Sequence, residues 1–260
     1  MNYLEVLLWC AAAVIVLFVI TWAVSVPLRN ASIVDVVWGL SFCVIAWTAR
    51  VVAGGYAPRQ NLLVGLVSVW GLRLGAYLLW RNAGKGEDFR YAAMRRHAGP
   101  SFTRRSLVTV FLLQAVMAWI VSLPVQVGQA ARSPRSLGWL SAVGVAIWFV
   151  GVAMESVGDG QLARFKADPR NAGKVMDRGL WRYTRHPNYF GDFCVWWGIF
   201  LVAAEARPAW ITVIGPLVMS ILLLRVSGVA LLERTIVKRR PEYAQYIART
   251  SAFFPRRPRR

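Results

Sequence analysis

The chain has 260 residues, 57% of them hydrophobic and 13 of them Trp, with a formal net charge of +19. Its apolar residues gather into runs of about 20, the length a helix needs to cross the hydrocarbon core of a bilayer, which excludes an ordinary soluble domain. Three cysteines at unrelated spacings (Cys10, Cys43, Cys194) and two histidines (His97, His186) exclude a disulfide framework and a His-rich metal centre.

Apolar runs at 3–26, 33–53, 62–80, 106–128, 137–157, 189–204 and 209–232 predict about seven transmembrane helices. In lipid every backbone N–H and C=O must be bonded internally, so the expected fold class is an all-α, polytopic membrane protein forming one integral domain over 1–260. The first run lacks a basic leader and a small-residue cleavage site, so it reads as a span rather than a signal peptide. The second carries Asp35 in IVDVVWG and the third Arg73 in VWGLRLGAY. Loop 81–105 is punctuated by glycine and holds Glu87 and Asp88 among its cations. The fifth span extends through Asp159 to Phe165, and Asp168-Pro169 and Ala172-Gly173 mark turns beyond it. The sixth run is the shortest and carries Asp192 near its start. The tail starts helical, breaks at Pro241, and places Tyr243, Tyr246, Phe253 and Phe254 in an amphipathic stretch suited to lie on the membrane or to fold over a site.

The charge follows the same topology. With the N-terminus outside and the C-terminus cytoplasmic, the inside segments hold 24 of the 31 Lys and Arg: Arg29, seven in 81–105, seven in 158–189 and nine in the tail. Five lie outside (Arg50, Arg59, Arg132, Arg135, Arg207) and two, Arg73 and Arg225, within spans. That bias is the positive-inside pattern, so the partner it implies is a bilayer with anionic headgroups and not nucleic acid.

Function is expected on the inner face, in loop 158–189. Arg164, Lys166, Arg170, Lys174, Arg178, Arg182 and Arg185 place seven cations there. Guanidinium forks bind phosphate bidentately, and Trp181, Tyr183 and Tyr189 offer flat surfaces to a purine or nicotinamide ring. His186, Asn188 and Asp192 follow at the mouth of the next span. Topology and interfacial aromatics account for any one of these residues. The order Arg-His-Pro-Asn-Tyr-Phe-Gly-Asp is harder to explain that way, with Gly191 placed to let a ligand or a helix approach its backbone.

The stretch GLWRYTRHPNYFGDFCVWWG resembles the C-terminal signature of the steroid 5-alpha-reductase family, closest to its bacterial members of unknown function. The superfamily also contains sterol reductases and isoprenylcysteine carboxyl methyltransferases. The resemblance spans 155–255 and implies a bacterial inner-membrane enzyme with its site facing the cytoplasm. It also implies NADPH as cofactor and a small lipophilic substrate whose polarised C=C accepts hydride. Carried over, Asp159, Lys166, Asn188 and Asp192 fall in the cofactor pattern, and Gly179-Leu180 matches the Gly-Leu before it. Arg164, Arg178, Arg182, Tyr183, Arg185, His186, Tyr189 and Glu233 complete the expected cofactor set. Glu155 and Gly173 depart from the pattern, standing where the steroid enzymes have Asn and Tyr.

Arg73 and Tyr77 align with an Arg and a Tyr of the steroid enzymes' third helix, and Asp35 lies within a residue of their substrate-binding Glu. Trp70 replaces the Tyr that partners that Glu, which leaves Tyr77 and Tyr91 as candidate proton donors beside Asp35 and Arg73. Asp35 and Arg73 equally suit a plain ion pair between neighbouring helices. Glu87 and Asp88 suit pairing with the arginine cluster better than acid–base work, and Arg225 and Glu233 bracket the end of the last span. The alternative reading is a methyltransferase with S-adenosylmethionine in the same pocket; its relatives carry paired acids where this chain has Glu233-Arg234. The sequence sets neither the substrate nor the oligomeric state.

Overall fold

A computed structural model describes residues 2–226 and 242–259, all helix, turn or loop with no strand among them. Six helical runs are long and apolar enough to cross a membrane: Tyr3–Leu28, Ile33–Val52, Ala57–Asn82, Phe89–Val121, Trp139–Ala167 and Arg207–Arg225. The expected seventh, 189–204, is the helix Pro187–Ala204, whose first turns hold Pro187, Asn188 and Asp192 and dilute its apolar character. The chain divides into two compact units: residues 1–142 with 199–215, and 143–198 with 216–260.

In the first unit, α1 (Tyr3–Leu28) opens on a capping box in which Asn2 accepts from the Glu5 amide at 2.9 Å and Glu5 accepts from the Asn2 amide at 3.1 Å. It closes at Arg29, whose φ of 47° is left-handed. α2 (Ile33–Val52) packs on both α1 and α3 (Ala57–Asn82). Glycines set the α2–α3 distance: a Cβ on Gly71 would stand 2.5 Å from the Gly39 carbonyl oxygen, and one on Gly39 2.7 Å from that of Gly71. Backbones approach this closely only where side chains are missing, and in lipid such packing replaces the hydrophobic drive that water would supply.

The fourth run starts earlier than the sequence suggests, inside loop 81–105. It comprises α4 (Phe89–Ala98), α5 (Phe102–Ser106), a π turn at Leu107–Leu112 and α6 (Leu113–Val121). It also ends earlier, at Ser122, because Pro124 lacks an N–H and is accepted only in a new first turn. That turn begins α7 (Leu123–Ala130), whose residues Pro124 to Gln129 are all buried. Two indole N–H groups tie α1 to this run, Trp22 to the Thr103 carbonyl at 2.9 Å and Trp119 to the Leu7 carbonyl at 3.0 Å. Leu4, Leu8, Val16 and Ile20 on α1 remain exposed, as expected of a face that meets lipid.

The second unit is built on α8 (Trp139–Ala167) and α9 (Pro187–Ala204). Gly144 meets Gly198 and Gly151 meets Gly191, an antiparallel seam with the same register at both contacts. Gly191 therefore serves the approach of a helix rather than of a ligand. α8 runs unbroken past Phe165, as expected, and the predicted turns follow as a 3₁₀ turn at Pro169–Asn171 and a left-handed Gly173. α10 (Ile214–Ile221) and α11 (Tyr243–Arg249) complete the described helices.

Candidate functional site

Two polar constellations stand out, one within each unit. In the first, Asp35 sits in the opening turn of α2 and takes two charge-assisted bonds from α4. The Arg90 guanidinium donates to one carboxylate oxygen and the Tyr91 hydroxyl to the other, each at 2.7 Å. Gln114 points its amide at the Tyr91 oxygen from 3.5 Å, and the Arg90 guanidinium carbon lies 5.3 Å from the Tyr91 ring centre. Tyr91 is 7% exposed. A buried phenol thus lies between a carboxylate, a guanidinium and an amide.

The expected Asp35–Arg73 pair does not form: the acid's partners are Arg90 and Tyr91. Arg73 stays on α3 with its guanidinium carbon 6.0 Å from the centre of the Tyr77 ring, which Arg81 flanks at 5.9 Å. Of the four residues singled out for catalysis, the structure joins Asp35 with Tyr91 and Arg73 with Tyr77. Trp70 is fully buried against Phe42. Arg90 and Gln114 escaped notice because they lie 55 and 79 positions from Asp35, and no local spacing encodes such a contact.

Glu87 and Asp88 anchor the constellation. Glu87 takes both guanidinium bonds of Arg95, at 2.7 and 2.9 Å, and the Ala31 amide at 2.8 Å. Asp88 caps α4 through the Arg90 amide, receives the Arg90 guanidinium at 2.8 Å, and donates its own amide to Ser32. Burial alone would raise the Glu87 carboxyl, but bonding from Arg95 and Ala31 outweighs it and holds the group below the ordinary carboxylate range. The same balance, with Arg90 dominant among the opposing groups, lowers Asp88. Their structural role is as expected, though the cations come from α4 of the same loop.

In the second unit, the structure sorts the expected cofactor residues into three groups. Asp159 on α8 is 5% exposed and accepts from the Asn188 side-chain amide at 3.3 Å; Asp192 lies one turn further along α9 and is also buried. Arg164 and Lys166 stand exposed at the end of α8. A third group is occupied in holding the C-terminal tail. Arg185, 6% exposed, donates its guanidinium to the carbonyls of Ile247 and Thr250 and its amide to Ser251. Thr184 donates to the Phe253 carbonyl at 2.7 Å. His186 is buried and stacks on Tyr189 with ring centres 5.4 Å apart. Trp181 is buried too and bonds the Gly158 carbonyl at 3.0 Å, so it anchors the loop instead of offering a stacking face. Tyr183 remains exposed. Arg178 and Arg182 are exposed and line a cavity with tail residues. Glu233 lies outside the described residues.

Gly179 has a φ of 57°, a left-handed backbone that disfavours any side chain, and it packs on the end of the Gln161 side chain, whose amide oxygen accepts the Leu180 N–H at 2.9 Å. The Gly-Leu pair therefore fixes the loop to α8. Burial raises the Tyr246 phenol, whose hydroxyl donates to the Trp181 carbonyl. The tail's fold-over was one of the two sequence expectations, and the rings of Phe253 and Phe254 against Phe190 and Phe193 secure it.

A helical membrane chain with a carboxylate–tyrosine pair in one unit and a basic, tail-capped loop in the other defines the class. The family described as "Protein of unknown function (DUF1295)" matches residues 21–250, and the chain belongs to it; the family lies in the steroid 5-alpha-reductase-like superfamily. The chain is also similar to "Uncharacterized protein C594.04c" of Schizosaccharomyces pombe (strain 972 / ATCC 24843). The two are 23% identical over 273 residues, covering 91% of this chain and 76% of the relative. No solved structure matches.

Proposed function

We propose that the protein is an NADPH-dependent membrane reductase acting on the polarised C=C of a lipophilic enone. In this reading seven helices cross the membrane, the N-terminus lies outside, and loops 81–105 and 158–189 face the cytoplasm. The observation that carries it is the Asp35–Tyr91–Arg90 constellation, a buried phenol held against a carboxylate inside a membrane helix run. Ionisable groups in such a place are expensive and mark function. Tyr91 is the group able to give a proton to the developing enolate. The Gln114 amide, already aimed at the Tyr91 oxygen, then stabilises the phenolate, and the Arg90 charge over the ring assists it. Asp35, neutralised by Arg90, orients the phenol.

The donor set suits a nicotinamide dinucleotide. Asn188, Asp159 and Asp192 offer amide and carboxylate groups to ribose and carboxamide, and Arg164 and Lys166 offer cations to phosphate. The cofactor, when bound, supplies the hydride. Superfamily membership supports the same reading.

The test is a titration of the detergent-purified chain with NADPH and with S-adenosylmethionine. NADPH binds more tightly in the reductase reading, and Asn188→Ala weakens it. Tyr91→Phe leaves that affinity within about twofold while enone-dependent NADPH oxidation falls by about 10²–10⁴, the usual contribution of a general acid. Tighter binding of S-adenosylmethionine replaces the reductase with the methyltransferase.

A further inference from the structure

Three residues in the C-terminal half of α3 form a ladder. Arg73, Tyr77 and Arg81 follow one another at intervals of four, so they share one face of the helix. The Tyr77 ring has a guanidinium on either rung, the Arg73 carbon 6.0 Å and the Arg81 carbon 5.9 Å from its centre. Arg73 and Tyr77 are half-buried and Arg81 is exposed. The Lys85 ammonium adds a third cation by donating to the Arg81 carbonyl, where the helix ends. Arg81 is not among the residues the family resemblance singles out.

A helix C-terminus favours cations, which accounts for Arg81 and Lys85. It does not account for Arg73, about 12 Å further down the axis of a membrane-length helix, where a guanidinium is costly. An aromatic face relieves one cation, but a second beside the same ring restores repulsion, and near lipid little water screens it. The carboxylates at this end of the unit are engaged by α4: Asp35 and Asp88 by Arg90, Glu87 by Arg95. The Arg81 side chain bonds a neutral group, the Asn82 amide oxygen at 3.3 Å. An oxyanion between the two guanidiniums removes the repulsion, because planar forks match the oxygens of a carboxylate or a phosphate. Held there, the anion lies deeper than the end of the helix, at a level that the head of a lipid reaches from within the bilayer. The adjoining face of α3 supplies apolar surface for its chain, since Leu72, Leu79 and Trp80 are all exposed.

We propose that Arg73 and Arg81, bridged by the Tyr77 ring, bind the oxyanion headgroup of a membrane-dissolved amphiphile. As a statement of substrate class this rests on the reductase reading and narrows it: the reducible lipid is acidic. The ladder is placed for that role, because the Arg81 charge acts on Asp88, the cap of α4, whose next residues but one are Arg90 and Tyr91. Two sources supply the headgroup: a free carboxylate, as in a fatty acid, and the phosphate of a phospholipid.

The experiment uses the full chain in a neutral maltoside detergent and three radiolabelled probes of one chain length: dodecanoate, dodecyl phosphate and uncharged dodecanol. Binding to the immobilised protein is read at equilibrium. At least one of the two anions is expected to bind saturably and at least tenfold more tightly than dodecanol. Arg81→Gln, at an exposed position, removes most of that preference, and Arg73→Gln or Tyr77→Leu reduces it as well. Should Arg73→Gln not fold, Arg81→Gln decides alone. Arg105→Gln removes an exposed cation outside the ladder and leaves the preference unchanged. Preference for dodecanoate identifies a carboxylate head, and preference for dodecyl phosphate a phospholipid one. Equal binding of dodecanol and both anions, an unchanged preference in Arg81→Gln, or an equal loss in Arg105→Gln overturns the proposal, the last because it reports diffuse surface charge. NADPH is absent from the assay, so its outcome is independent of whether the protein proves to be a reductase.

Discussion

Arg59 is fully buried in the first turn of α3, yet it has a place to put its charge. Its guanidinium donates to the Gly128 carbonyl at 2.9 Å, the Pro134 carbonyl at 3.1 Å and the Ala131 carbonyl at 2.5 Å. Three carbonyl groups at and beyond the end of α7 thus converge on one side chain, the Ala131 carbonyl also accepting the Tyr56 amide at 3.1 Å. Arg59→Leu takes a donor from all three, though Ala131 keeps the Tyr56 amide and Pro134 is exposed to solvent. The buried Gly128 carbonyl left unbonded costs about 1–3 kcal/mol, so the melting temperature in detergent should fall. Arg59→Lys recovers only part of that loss, because an ammonium lacks the planar fork. An unchanged melting temperature for Arg59→Leu would remove Arg59 from the structural account. From the sequence this residue reads as an outside loop charge, since nothing in its neighbours shows carbonyls seventy positions away. Asp35 illustrates the same limit. Its cost in lipid made it stand out as a candidate, whereas its partner on α4 was not legible, because ion-pair choice depends on helix packing and not on spacing.

Helix positions were largely legible, because a twenty-residue apolar run has few alternatives in lipid. The misplaced boundaries have local causes. Pro124 ends one helix and starts another inside the run read as 106–128, and the polar first turn of α9 shortens its apolar stretch. Glycine spacing was a weaker signal, since Gly191 alone could not reveal the Gly144, Gly151, Gly191 and Gly198 seam. That seam makes a prediction with a sign. A Cβ on Gly151 would lie 2.6 Å from the Gly191 carbonyl oxygen and 2.7 Å from the Val195 amide, both rigid backbone. Gly151→Ala should therefore destabilise by about 1–3 kcal/mol, the usual penalty of overpacking. Nothing lies within 4 Å of a Cβ on Gly160, on the same helix. There, Gly160→Ala should stabilise by up to about 1 kcal/mol through helix propensity alone. Thermal unfolding of the two variants decides it: a shift in the same direction for both contradicts the seam.

At the scale of the whole molecule, the charge distribution predicts an orientation. Loops and tail assigned to the inside carry 24 of the 31 basic residues, and cationic loops resist translocation. The three native cysteines are buried, Cys10 at 0%, Cys194 at 7% and Cys43 at 9%, which keeps background labelling by a membrane-impermeant maleimide low. Arg132 and Arg170 are both exposed, and the Arg170 side chain pairs with Asp168, two residues away. Each can therefore be replaced by cysteine with little effect on the fold. In intact spheroplasts, Arg132→Cys should label at once, while Arg170→Cys should label only after the membrane is permeabilised. A reversed pattern inverts the topology and moves loop 158–189 away from cytoplasmic nucleotides. Labelling of both sites in intact cells would mean that the two segments share the outer face, a result the charge bias forbids.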